Sequence, residues 1–467
     1  MITQVISVQT DYNRERDDRQ EYFESVSNKL DEIIDNQKLD GLQEITEVLW
    51  ENKSEILGKL ALVLIKEKYK EFLEQEYCEC IHCNRSLKKR GKSVKKNLHT
   101  RIGEIELYRP YFYCKHCKRG FYSIDKVLEL SDGNKQYDLQ ELEVYLASKL
   151  PYEEARETYK KCTGNNVSTQ HMFEITNQVA QDIDVLDVSP KQEEIEEMIK
   201  KFSEGKFWRP IVMIGVDGAH APTRPEPSPY RGQRGKGQWR ESKGFRIYLI
   251  NDNRIVQMIS WHQIQSDDEL VCALQKVKDA NLIPEHLVRL CFIADGAQWI
   301  WNKVSQIFPS ARQILDFYHC SEYLHSVANL QYGQDTRRAK EWMEATFARL
   351  FYNRINSVIW GLQRMIPISD DAQQKIIDTI RYLSSHSDRC NYGASKRAGY
   401  HIGSGAIESA NKFIGHARLK KSGAWWYPSL ANNILKIRCA IYNNTFERII
   451  KKYKERNQLE TYGRRRA

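Results

Sequence analysis

Two CxxC pairs place the tightest constraint on how this chain can fold. Cys80-x2-Cys83 and Cys114-x2-Cys117 are separated by 30 residues, a spacing at which four thiolates can close round one tetrahedral Zn²⁺ while the intervening chain forms a hairpin. That chain contains KNLHTRIGEIELYRPYFYC, which alternates as a strand pair should and offers Gly103 for the turn. A zinc ribbon is expected over 77–126, with Cys78 and His82 as spare donors in the first knuckle. Residues 85–96, RSLKKRGKSVKK, carry seven Lys or Arg and no acid. A solvated charge run would look the same, but beside a zinc knuckle Lys88, Lys89, Arg90, Lys92, Lys95 and Lys96 are candidate contacts to DNA phosphates.

The other cysteines do not extend this framework. Eleven is an odd number, and Cys162, Cys272, Cys291, Cys320 and Cys439 fall singly in helical or strand-like segments, as reduced thiols do. No apolar run approaches 18 residues and MITQVISVQTDYNRERDDRQ lacks a signal core, so a soluble, non-secreted protein with no membrane partner is expected. At 467 residues the chain should form several domains. Its 71 Lys and Arg against 62 Asp and Glu give a formal charge of +9, which suits a polyanionic partner only if the charge is clustered.

Helical periodicity dominates residues 1–76, where Leu42, Ile45, Leu49, Leu57, Leu60 and Leu64 fall near heptad spacing; packing or self-association is the expected role. Three short helices follow the ribbon within 137–190. The second opens at Pro151 and the third is capped by Ser168, an order that fits a helix-turn-helix with STQHMFEITNQVA as its reading helix. From 205 to 320 strands and helices alternate: three strands, a helix over 267–280, a strand, a helix over 298–307 and a strand, which predicts an α/β region with a mixed sheet. Residues 321–395 read as helix interrupted only near Pro367, 396–450 as a last helical part, and 451–467 as a basic tail. The loop 221–243 is rich in Pro, Gly and Arg and too long for a tight hairpin; it is expected to reach DNA.

Two segments in the α/β region repeat one arrangement. IVMIGVDGA and LCFIADGA each run an apolar strand into an aspartate, Asp217 or Asp295, followed by Gly and Ala. Neighbouring strands would bring both carboxylates to one sheet edge, and the small residues would leave room for a metal or a nucleic-acid backbone. Phosphoryl chemistry with two metals needs a further acid; Glu408, in a helix that Ser404 could cap, is the best candidate. Arg418, Lys420, Lys421 and Trp425 follow it and could meet DNA, Trp425 by stacking on a base. Trp299 and Trp301 are expected in the core.

These motifs, GVDGAHAPTRP, ADGAQWIW, LDFYH and GSGAIESANK…ARLKKSGAWW, with the preceding CxxC…GEIELYRPYFYCKHCKRGFYSID, resemble DDE transposases of the ISKra group of bacterial insertion sequences, related to Mutator-like transposases. The resemblance covers about 76–445 with the motifs in order. It implies an RNase H-like catalytic core with an all-α insertion, preceded by the zinc ribbon and helix-turn-helix. It also implies Asp217, Asp295 and Glu408 as the catalytic triad binding two Mg²⁺ (or Mn²⁺) ions, with Asp316 and His319 matching an accessory D-x2-H signature. The function implied is binding of terminal inverted repeats, followed by strand cleavage and strand transfer. Its partners would be double-stranded DNA at element ends and target, and further copies of the chain in a homo-oligomer. Its location would be the bacterial cytoplasm, at the nucleoid. The alternative is a zinc-ribbon DNA-binding regulator with an inactive core; a nuclease that cuts without rejoining would share the same site.

Overall fold

The computed structural model describes residues 19–35, 40–225, 236–251, 254–304 and 306–462. The chain forms two units, one comprising 1–179 with 450–467 and the other 180–449.

In the first unit, three antiparallel pairs follow the N-terminal helices. Strand β1 (Tyr77–Glu79) pairs with β2 (Ser86–Lys88), β3 (Val94–Thr100) with β4 (Gly103–Arg109), and β5 (Tyr111–Cys114) with β6 (Arg119–Tyr122). Strand β4 alternates strictly, turning Ile105 and Leu107 inward to pack with Leu98 and Leu130. Gly103 has φ +128°, and a Cβ there would run into Ser54 of the π turn Ser54–Gly58, so glycine is needed for both the turn and the close approach. The preceding helices Leu42–Glu51 and Lys59–Lys68 bury no side chain completely and leave the heptad-like leucines exposed.

Helices Tyr137–Lys149, Tyr152–Thr163 and Thr169–Ala180 gather round Leu139, Ala155, Tyr159, Val167 and Met172. Ser168 caps the third as expected, accepting the His171 N–H at 3.1 Å. Pro151 stands one residue outside the second helix, at its N-cap. The C-terminal helix Phe446–Tyr462 also serves this unit: Tyr453, buried, donates to Gln140 Oε1 at 2.9 Å.

In the second unit a five-stranded mixed sheet runs in the order β11-β10-β7-β8-β9. The strands are β7 (Ile211–Thr223), β8 (Gln238–Asn251), β9 (Arg254–Ile264), β10 (Arg289–Ala294) and β11 (Arg312–Leu315); β10 is parallel to β7 and β11, whereas β8 is antiparallel to both its neighbours, β7 and β9. Central β7 is buried on both faces up to Val216, which is why its sequence is a continuous apolar run.

The local pattern misled in four places. The two ends of the predicted loop 221–243, residues 221–223 and 238–243, are strand and pair out to Thr223↔Gln238; residues 226–235, in its middle, lie outside the described residues. The helix expected over 298–307 begins at 298 as expected but takes π geometry over Ile300–Val304, and 306–307 form a turn; residue 305 lies outside the described residues. The helical region 321–395 breaks not only near Pro367 but at Gly333 (φ +87°) and Asn353 (φ +58°), giving helices Phe317–Tyr332, Arg337–Phe351, Ile355–Gln363 and Asp370–Ser385. Ser404 precedes helix Gly405–Ala410 without capping it through its side chain. Among the described residues, no helix is long and apolar enough to cross a membrane.

Candidate active site and zinc centre

The parallel register pairs Ala294 of β10 with Val216 of β7, so Asp295 and Asp217 follow at the same end of adjacent strands. Asp217 Oδ1 accepts the Gly218 N–H at 2.7 Å, and Oδ2 accepts an Asn411 side-chain N–H at 2.8 Å. Asp295 Oδ1 accepts the Ala297 N–H at 2.9 Å, while its main-chain oxygen accepts the Trp301 indole N–H at 2.8 Å. Trp301 is buried, edge-on to Phe292; it is core, and it anchors the turn that presents Asp295.

The small residues after the aspartates have a different explanation from the one their sequence invited. A Cβ on Gly218 would overlap the Glu241 carboxylate, and one on Gly296 would overlap the Tyr382 ring. Protein side chains occupy that space.

Glu408 is brought to the sheet by the helix Gly405–Ala410. Buried Arg246 of β8 donates to Ala406 O at 2.6 Å, and Ile407 packs onto Gly215, two residues before Asp217. Ser404 Oγ lies 3.0 Å from Glu408 Oε1 and also hydrogen-bonds Asp316 Oδ2. Asp316 is completely buried; its N–H continues the ladder to Ala294 O at 2.8 Å, and Oδ1 accepts the Tyr318 N–H at 2.7 Å. His319 is partly exposed, its Nδ1 3.5 Å from Glu322.

These groups act on one another. Burial pushes the Asp217 carboxyl up to about 6; the Gly218 amide and His319 oppose the shift, while Asp295 and Glu408 add to it. A desolvated carboxylate with two more nearby is costly unless a cation joins them. The oxygens of the three acids are nevertheless spread: among the described residues, only the four cysteines bring three or more ligand atoms within 4.8 Å of one another.

In the four-cysteine cluster Cys80 Sγ is 4.0 Å from Cys117 Sγ, and Cys83 Sγ is 3.7 Å from Cys114 Sγ. Four sulfurs about 2.3 Å from one tetrahedral zinc stand about 3.8 Å apart, so the donor set fits. The Cys117 N–H donates to Cys114 Sγ at 3.4 Å and draws that thiol down to about 7. Cys78 and His82 stay outside the cluster.

The basic residues are less uniform. Lys88, Arg90, Lys92 and Lys95 are exposed on the ribbon, although Lys95 pairs with Glu106 and Lys89 lies 3.7 Å from Glu76. Lys96 is half-buried and donates to Ser131 O at 2.8 Å. Arg418 is buried, its guanidinium 4.7 Å above Trp426, which removes it from the surface open to DNA. Lys420 and Lys421 are exposed in part or whole, and Trp425 remains 42% exposed. Sequence reasoning passed over His262, which looked like one more residue of an apolar strand, and gave Asn411 no role.

No protein-family profile matches the chain, and no curated protein does. Among solved structures, the chain is similar to the Drosophila P element transposase strand transfer complex at 11% identity and a TM-score of 0.24, over 71% of this chain and 84% of that one. It is similar to the Mos1 transposase paired-end complex with left transposon end at 12% identity and TM-score 0.16, over 56% and 78%. The Mos1 mariner paired end complex with Mn gives 14% identity and TM-score 0.16, over 56% and 79%. At these scores the likeness carries no argument about function.

Proposed function

We propose that the chain is a metal-dependent DNA transposase of the DDE type, in the ISKra-like group, that cleaves and joins DNA at the ends of an insertion sequence. The observation that carries this reading is geometric: Asp217 and Asp295 close adjacent parallel strands, and the helix that carries Glu408 packs through Ile407 onto Gly215 of the Asp217 strand, where Asp295 and Glu408 both raise the pKa of the half-buried Asp217 carboxyl. Asp217, Asp295 and Glu408 would hold two Mg²⁺ or Mn²⁺ ions, which when bound supply Lewis-acid activation of the attacking and leaving oxygens. The chain's own residues do the rest. Gly218 and Ala297 amides orient the two aspartates, the Trp301 indole fixes the Asp295 turn, and Ser404 links Glu408 to buried Asp316. Exposed Lys88, Arg90 and Lys92 of the ribbon, with Lys420, Lys421 and Trp425, would bind DNA by phosphate contact and stacking. One structural Zn²⁺ would sit on Cys80, Cys83, Cys114 and Cys117. Synapsis of two ends would require a homo-oligomer.

The test uses a plasmid carrying the gene's native flanking DNA, incubated with purified protein and Mg²⁺, with mapping of 3′-hydroxyl ends and joined products. Cleavage and joining by wild type, lost in Asp217→Asn, Asp295→Ala and Glu408→Gln with DNA binding retained, is the expected result. Binding without cleavage by wild type would overturn the reading in favour of a DNA-binding regulator.

A further inference from the structure

Asp217, Gly244 and His262 occupy one row across three strands: Asp217 pairs with Gly244, and Gly244 pairs with His262. Directly paired residues project to the same face of a sheet. Gly244 has no side chain to project, and a Cβ there would overlap the Nδ1, Cγ and Cε1 atoms of His262. The imidazole therefore lies across Gly244, on the Asp217 side of its own strand. Above this row stands Asn411, first residue of the π turn Asn411–His416 that continues the Glu408 helix.

Asn411 is 4% exposed and His262 is 1% exposed. The Asn411 amide donates to Asp217 Oδ2 at 2.8 Å. Its Oδ1 and His262 Nε2 are both buried without a hydrogen-bond partner of standard geometry, yet the Asn411 side chain is the hydrogen-bonding group felt by the imidazole. Two buried polar atoms of complementary capacity, left over side by side, need only a small rotation to pair, and a buried polar atom left unpaired is destabilising.

We infer that His262 and Asn411 are positioning residues for Asp217, His262 Nε2–H turning the Asn411 amide so that its NH₂ always faces the carboxylate. This rests on Asp217 being a metal-binding carboxylate. The need for such a device follows from the amide itself. An Asn side chain has two nearly isosteric orientations, and the wrong one would set Oδ1 against Asp217 Oδ2. A neutral imidazole has one N–H to give, and full burial keeps this one neutral, its pKa pushed down to about 3. The Asp217 carboxylate is thereby held at both oxygens, by Gly218 and Asn411, with lone pairs to spare for a cation.

The experiment measures Mn²⁺ affinity of the full, zinc-loaded chain by electron paramagnetic resonance, with melting temperature recorded for each variant. Asp217→Asn should lose affinity; if wild type and Asp217→Asn bind Mn²⁺ alike, the metal-site reading and with it this inference fall. With that difference established, His262→Leu should weaken Mn²⁺ about tenfold or more, the range seen when a partner behind a metal ligand is removed. His262→Gln, which keeps a donor near the Nε2 position, should restore most of it. Wild-type affinity in a folded His262→Leu, or equal weakening in His262→Gln, would overturn the inference while leaving the metal site standing. Should His262→Leu not fold, near-isosteric Asn411→Leu decides by the same criterion: tenfold weaker binding supports the inference and unchanged binding overturns it.

Discussion

Ser404 Oγ stands 3.0 Å from Glu408 Oε1 while it also hydrogen-bonds Asp316 Oδ2. A serine hydroxyl has one proton to give, and two carboxylates compete for it. Asp316, completely buried, has the stronger claim, because an unsatisfied buried charge is the costlier outcome. Ser404→Ala should therefore lower stability by about 1–3 kcal/mol, read as a fall in melting temperature, and reduce cleavage. Ser404→Thr, retaining the hydroxyl, should recover both in large part. Wild-type stability and cleavage in Ser404→Ala would show that the bridge has no weight.

Trp301 offers a second test on the same edge. Its indole donates to Asp295 O at 2.8 Å, and Arg389 lies 4.5 Å over its ring. Trp301→Phe keeps an aromatic side chain and removes the donor. We expect about 1–2 kcal/mol of destabilisation from the lost bond and volume, with cleavage falling more than DNA affinity, measured by gel shift and product mapping on one preparation. An equal fall in both would assign Trp301 to global stability alone.

In the first unit Glu143 is completely buried between Lys135, 3.6 Å away, and His171, 3.4 Å away. Burial pushes its carboxyl up to about 7, against an opposing pull from Lys135. A folded-state pKa above the unfolded value gives stability that is present at low pH and is lost as pH rises through about 7. Glu143→Gln removes that dependence. The variant should gain melting temperature relative to wild type between pH 5 and pH 8, with about 2–3 kcal/mol as the upper end of the gain. A constant difference across that range would refute the assignment.

Zinc content should be one per chain, falling to none in Cys114→Ser. The knuckle core of Cys80, Phe112, Cys114 and Phe121 contains little besides the ligands and two stacked rings, so metal binding and folding should be coupled there. Chelation should open 77–126 to proteolysis at a concentration that leaves the sheet of the second unit protected. Uniform protection with and without metal would mean that the ribbon holds itself together.

Much of the placement of the candidate site's residues was legible because it follows local pattern. An apolar run ending in Asp-Gly-Ala places a carboxylate at a strand end; that the two runs lie side by side is a matter of sheet topology, which the local pattern left as a condition and the β7–β10 pairing meets. The cysteine spacing was equally plain. What escaped involves partners far apart in sequence. Ser404 sits where a cap belongs, yet its hydroxyl turns to Asp316, 88 positions away. Gly218 and Gly296 read as space for substrate, while Glu241 and Tyr382 fill that space from other elements. The Pro- and Gly-rich composition after Asp217 hid the long ladder to Gln238, and nothing near His262 marks it apart from any buried strand residue.

The closing helix of the described chain completes the unit that begins it. Tyr453 packs edge-on to Tyr137, and Thr461 donates to Asp132 at 3.0 Å. As the chain emerges from the ribosome, the ribbon unit must wait for the whole sheet unit to be made before its last helix arrives. A product truncated after Ile449 would carry Asp217, Asp295 and Glu408 and still lack the partners of Tyr137, Gln140 and Asp132, so the ribbon unit reaches its native form only in a chain that already has its sheet unit.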